Sequence, residues 1–437
     1  MKSIHKYLIT NQLFYLILMF PIWWFLGVEQ FIWFFFVLLI FIQFCFLNKM
    51  KFYINSAILI FALFIVIYII SFFNIIESMR YITYFRNLST YLTSFMILVI
   101  IWNIIDEWWQ VEKLLKAIVI VMFLSSIIGV LAFSTEFFRF NFKSLMGYVM
   151  PSFISETDYG SVIANRNLGF FNWFIIFGEY FRISSFFLYS TMFSATLAFT
   201  LPIVLYFRVT NQGFIKKFYT LIFCFMFLAL LLTTGRVAII AFLIGWILFK
   251  IISIKSIAIK GSIILISILI ISTAIIILYY FGFIDPLINL MIYSRGEGSA
   301  NARAKIYIET FQGFFEKPIF GWGTERDMKG MTYPLGSHSY YLGTLYKQGI
   351  LGLVLFLSLL FSIWKRINIK VKEYNKYTWL LKYGQFVLFV YFINSFTDVL
   401  DLDATTMMFS WTIFSLLIVA NRVYLNNIVN YDSSNSK

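Results

Sequence analysis

Charge is scarce in this chain. Only 12% of its 437 residues are Asp, Glu, Lys or Arg, against roughly 25% in a soluble globular protein. That shortage excludes a water-soluble domain and a disordered, highly charged tail. Histidine occurs twice, at His5 and His338, and cysteine twice, at Cys45 and Cys224. Both cysteines lie inside long apolar runs and read as small buried hydrophobes, so a disulfide framework is excluded. No His/Cys/carboxylate set has metal-ligand spacing, and neither metal nor cofactor is expected. What is abundant is apolar: 61% of residues are hydrophobic, 55 are Phe, and the mean hydropathy is +0.86. The few charges are unbalanced, 34 basic against 20 acidic, for a net +14. Such an excess admits nucleic acid, an anionic substrate or membrane topology, and its distribution decides among them.

A membrane-spanning helix needs about 20 apolar residues. Twelve runs qualify, near 7–27, 30–47, 54–73, 87–105, 114–134, 186–207, 214–233, 235–252, 258–281, 342–363, 379–397 and 404–424. The fold class expected is an all-α polytopic membrane protein, a single integral membrane domain over 1–437. The first run is too long for a signal sequence and reads as an uncleaved first transmembrane helix. Two connections are long, 135–185 and 282–341, and both follow odd-numbered spans, so they share one side. The other side carries 20 of the 34 cations and five of the 20 acids, in the short loops and at both termini. By the positive-inside rule that side is cytoplasmic, and both long loops are extracytoplasmic. The cytoplasmic side then sums to +15 and the outer side to −1. The basic excess is therefore an orientation signal, and no nucleic-acid partner is implied.

The outer side holds nine of twelve arginines but only five of 22 lysines. Arginine is preferred where a planar fork must hold phosphate or carboxylate; solvated or paired arginines are the alternative. In 282–341, Ala304, Ile308, Phe311 and Phe315 form an apolar stripe at helical spacing, beside a polar stripe of Arg303, Tyr307 and Thr310. Ser299 or Asn301 can cap this helix, and Pro318 ends it. It reads as an amphipathic helix of about four turns over the membrane or bundle, a plain brace or part of a site. Arg295 and Arg303 stand at its N-terminal side, where helix amides also favour anions. His338 is either a satisfied interfacial histidine or a group that transfers one proton near neutral pH. Arg236, in Thr-Thr-Gly-Arg, either snorkels or faces inward to hold an anion. Arg182 opens a polar-rich stretch that suits a cavity. Asp398, Asp401 and Asp403 read as solvated, as partners of arginines, or as contacts to an acceptor sugar.

Three elements then occur in order: Pro318-Ile-Phe-Gly-Trp-Gly323, His338-Ser-Tyr-Tyr-Leu342 and Gly349-Ile-Leu-Gly352. Together they resemble the signature of the O-antigen ligase and Wzy-type polysaccharide polymerase superfamily. Arg303 occupies that family's arginine before the Pro-x-x-Gly-x-Gly turn, and Thr234-Gly235-Arg236 resembles its Ser-Arg-Gly element. The Arg182 segment with Phe186–Ser190 resembles its earlier arginine segment. Two departures stand out: Ser339 replaces the usual Asn, and Gly235 precedes Arg236 instead of following it. The resemblance implies a GT-C-type fold in the bacterial inner membrane. It implies transfer of a glycan from an undecaprenyl-diphosphate carrier, with His338 as general base and Arg236 and Arg303 on the diphosphate. Arg182, Arg295, Tyr307, Tyr340 and Tyr341 would contact substrate. The implied partners are the lipid-linked oligosaccharide, the bilayer and other proteins of polysaccharide export. Polymerase is preferred to ligase. A lipid-linked oligosaccharide flippase is the rival, but the candidate residues lie at span mouths, not near the midplane where transport sites sit.

Overall fold

The structure is a computed structural model that describes residues 2–49, 51–174, 178–254, 297–327, 333–368, 375–397 and 400–435. Its helices follow the apolar runs. Helices α1 (Lys2–Leu18) and α2 (Phe20–Leu26) meet at a 51° bend, where Pro21 in the first turn of α2 has no amide hydrogen to continue the ladder. Next come α3 (Glu29–Leu47), α4 (Ser56–Ser71), α5 (Arg80–Ile104) and α6 (Trp108–Ser134). Asn55 caps α4 by accepting from the Ile58 amide at 2.9 Å. A capping box of Glu107 and Gln110 starts α6 at Trp108, ahead of its apolar run.

The first long loop adds two short ribbons to this mostly helical fold. It folds as β1 (Asn141–Lys143), three short helices α7 (Leu145–Val149), α8 (Ser152–Ser155) and α9 (Asp158–Ala164), then β2 (Asn165–Asn167), β3 (Gly169–Phe174) and β4 (Gly178–Ile183). Strand β1 pairs with β2 and β3 with β4, both antiparallel. The β3 and β4 sequences are rich in aromatic residues, which favour a pleated, half-buried surface.

The remaining helices are α10 (Ser190–Thr210), α11 (Gly213–Leu232), α12 (Arg236–Ser253), α13 (Glu297–Glu316), α14 (Tyr340–Ile367), α15 (Lys376–Asn394) and α16 (Ala404–Asn435). Among the described residues, nine helices are long and apolar enough to cross a membrane, or ten with the bent α1–α2 pair. The expected span at 379–397 is present as α15, but Lys376, Lys382 and Gln385 make it too polar to qualify on composition. The expected span at 258–281 lies outside the described residues. The protein is a mostly helical, multi-pass membrane protein.

Helix α16 is the axis of the bundle: 94% of its apolar window is buried, against 28% for α11 and for α12. It packs on α3, α5, α6, α10, α14 and α15. In lipid the hydrophobic effect does not draw helices together, so small and hydroxylated residues carry such contacts. Thr405, Thr406, Ser410, Thr412 and Ser415 are all buried there, and Thr406 meets Thr196 of α10 at 3.2 Å.

One break in α14 positions the site. Gly349 has φ 66° and ψ −167°, a backbone that interrupts the helix. The interruption frees the groups of residues 346–350, and the Pro318–Gly323 turn satisfies them. Trp322 donates its amide to the Tyr346 carbonyl and Gly323 to that of Lys347, each at 2.8 Å. In return the Ile350 amide donates to the Pro318 carbonyl at 2.8 Å. A side chain on Gly349 would strike the Ile319 carbonyl. The two glycine motifs are thus halves of one joint.

Candidate functional site

The site is assembled from the α13 polar stripe outward. Thr310, 1% exposed, accepts from the Gly336 amide at 2.9 Å, and the Tyr307 hydroxyl donates to the His338 carbonyl at 2.8 Å. These contacts hold the turn before α14 against α13. The apolar stripe faces the other way: Ile308, Phe311 and Phe315 are exposed, a surface suited to lipid and not to a core. Within the held turn, Ser337 donates to the Pro334 carbonyl at 2.6 Å, and Gly336 and His338 both take positive φ, 84° and 63°. A left-handed histidine is uncommon and costs on the order of 1 kcal/mol, retained where the surroundings dictate it. Ser339, in the usual Asn position, caps α14 by accepting from the Leu342 amide at 3.3 Å.

A second turn faces this one. Thr233 closes α11 by donating to the Leu230 carbonyl at 2.6 Å, and Thr234 takes φ 51°. The chain then reverses so that Arg236 opens α12. Gly235 packs against Ser194 of α10, which leaves no room for a side chain. Arg182, on β4, reaches across and donates from Nε to the Thr233 carbonyl at 3.0 Å. The Arg182 and Thr-Gly-Arg segments, 54 residues apart in sequence, therefore meet at the turn that presents Arg236.

Arg303 joins the two turns. It lies within electrostatic reach of both Arg236 and His338. Burial, and then the Arg303 charge, push the His338 imidazole down from its usual 6.5 to about 4. At neutral pH His338 is therefore uncharged and able to accept a proton. Its Nε2 is buried with no hydrogen-bond partner among the described residues, and the Tyr333 ring meets the imidazole edge-on at 4.6 Å.

Residues 221–357 match the family model described as O-antigen ligase. The match supports the resemblance to the O-antigen ligase and polymerase superfamily over this stretch. Members are membrane enzymes, and the protein is accordingly read as an enzyme. No curated protein matches the chain. The family stretch runs from α11 past the Gly349 joint, so it contains Arg236, Arg303 and His338, while Arg182 lies before it.

Other expected residues are placed differently. Tyr340 is 1% exposed and points into the bundle, its ring against Phe356 at 4.6 Å. Tyr341 donates to the Phe392 carbonyl at 2.9 Å and stacks among Phe356, Phe392 and Phe396. Both anchor the start of α14. Arg295 lies outside the described residues. Several other arginines have partners: Arg80 pairs with Asp327, Arg139 sits over Phe181, and Arg326 lies over Trp322.

Two acids of the loop before α16 are buried, which corrects the solvated alternative. Asp401 and Asp403 are each 1% exposed. Asp401 accepts from Lys347 at 2.7 Å and from the Tyr91 hydroxyl at 2.5 Å, with Glu325 3.6 Å from the same lysine. Asp403 accepts from Gln30 and Thr406, both at 2.6 Å. Asp398 lies outside the described residues. Lys347 went unremarked in the sequence, although a lysine inside an apolar span is itself a signal of a functional or structural charge. It stands two residues before Gly349, where it ties α14 to the loop before α16.

Proposed function

We propose that the protein is a polysaccharide polymerase. It transfers a glycan from an undecaprenyl-diphosphate carrier onto a lipid-linked repeat unit at the extracytoplasmic face of the inner membrane, on a GT-C-type fold. The observation that carries this is the position of Arg303, within reach of both Arg236 and an uncharged His338. An acceptor hydroxyl attacks the anomeric carbon, and its proton passes to His338 Nε2. The bond from that carbon to the phosphate oxygen breaks, and the diphosphate leaves with the electron pair. Arg236 and Arg303 stabilise its growing charge, and Arg182 holds the turn that presents Arg236. Attack opposite the leaving group inverts the anomeric centre. The bound diphosphate also offsets the Arg303 charge that depresses His338, so the base strengthens once substrate is in place.

A ligase reading, with lipid A core or another acceptor, uses the same residues, and the family match supports it equally. Purified protein in lipid with a diphosphate-linked repeat unit separates the possibilities. A ladder of lengthening products is expected; transfer only to added lipid A core identifies a ligase. Movement of the lipid across the bilayer without transfer overturns the enzyme reading. Full activity in His338→Ala overturns the assigned base.

A further inference from the structure

The first long loop borders an open cavity of about 490 Å³ that the proposed reaction does not use. The β1–β2 ribbon builds one wall. Across the ladder Asn141 stands opposite Asn167, Lys143 opposite Asn165 and Phe142 opposite Arg166. All six ribbon residues line the cavity. Trp24 and Phe187 add aromatic surface to the lining.

Arg166 is the unusual member. It is 2% exposed and donates from Nη2 to Glu29 at 2.6 Å, but its Nε and Nη1 have no hydrogen-bond partner among the described residues. Buried donors left unmade are costly, and a guanidinium with two nitrogens to spare suits a bidentate acceptor. Glu29 balances one positive charge. Lys143, exposed at the rim and resting on Tyr148 at 4.8 Å, supplies a second, so these three groups sum to +1. Amide side chains serve sugar hydroxyls, aromatic rings serve the apolar face of a pyranose, and a cation in the wall serves a carboxylate.

We propose that this cavity binds an acidic saccharide, a carboxylate-bearing sugar of the glycan the enzyme handles. The assignment of the glycan rests on the transfer reading above, while the binding test is independent of transfer. Full-length protein in detergent is titrated with a hexasaccharide of alternating glucuronate and N-acetylglucosamine, and with the same hexasaccharide after reduction of its carboxylates to alcohols. The acidic form is expected to bind at least about tenfold more tightly, the worth of one charge-assisted hydrogen-bonded contact. Glu29→Gln with Arg166→Gln removes the anion partner without stranding a buried charge, and is expected to abolish that preference. Lys143→Ala, at the exposed rim, is expected to halve it or more and guards against misfolding of the double variant. His338→Ala is expected to bind as wild type while failing in transfer, which separates this pocket from the reaction. Equal affinity for the two hexasaccharides, or a preference that survives both sets of substitutions, overturns the proposal.

Discussion

Two groups of charged residues flank the Gly349 joint, and they are built on opposite principles. Around Lys347, two cations, Lys347 and Arg86, face two carboxylates, Asp401 and Glu325. Around Arg303, the neighbours within electrostatic reach that it acts upon are another cation, Arg236, and a histidine it drives to the uncharged form. A buried pair whose charges compensate contributes to a unique arrangement but has little left to offer a ligand. Cations brought near one another raise the energy of the free protein and are relieved by an anion. The first group reads as structure and the second as a site for a diphosphate.

The largest effect should separate the two roles. Lys347→Ala leaves Asp401 and Glu325 with Arg86 as their one remaining cation, a buried acid in excess, at about 3 kcal/mol. Thermal unfolding in detergent should show a large loss of stability, and Lys347→Met with Asp401→Asn, which leaves Glu325 with Arg86, should recover most of it. Arg303→Ala should do the reverse. It removes a repulsive charge, so the unfolding midpoint should hold, while transfer falls at least about 100-fold for loss of a charge-stabilising group. If Arg303→Ala unfolds the protein and Lys347→Ala merely slows it, the comparison is inverted and the site belongs to Lys347.

Much of this was legible in the sequence, and what was not has physical reasons. The spans could be read because length and apolarity are local properties, and eleven of twelve coincide with helices. The glycine motifs could be read as motifs, but their docking could not. That docking runs through backbone groups of 318–323 and 346–350, which carry no side-chain signature. Asp401 and Asp403 were read as solvated, as partners of arginines or as sugar contacts, because Lys347 and Gln30, which they meet, are distant in sequence. The gathering of Arg182, Arg236, Arg303 and His338 was expected from resemblance. How it is done, by Tyr307 and Thr310 on one side and Thr233 on the other, needed the structure.

The joint between the two groups offers a middle-sized test. Gly349→Ala forces a side chain into positive φ and against the Ile319 carbonyl. A cost of about 2 kcal/mol is expected, seen as a lower unfolding midpoint together with reduced transfer, because the joint anchors both Lys347 and the His338 turn. Gly213→Ala, also at positive φ but with open space around it, should cost only about 1 kcal/mol and leave transfer unchanged. Equal losses for the two would mean that strain, and not the docking of 318–323, accounts for the Gly349 effect.

The smallest effect probes the Arg303 group directly, and the scarcity of histidine makes it measurable. With only His5 and His338 present, His5→Gln leaves a single imidazole to titrate by nuclear magnetic resonance in detergent. His338 should titrate near 4, so it stays uncharged through neutral pH. Because the folded value lies below the unfolded one of about 6.5, the unfolded chain takes up the proton first as pH falls. The stability that His338 contributes is therefore present above 6.5, shrinks as pH drops toward 4, and is level below that. Arg303→Gln removes the lesser of the two causes and leaves burial, so the titration should rise by about one unit, worth about 1.4 kcal/mol, and stop short of 6.5. A wild-type value near 6.5 would mean that His338 is solvated. A value near 4 unchanged in Arg303→Gln would mean that burial acts alone and that the two residues do not share a site.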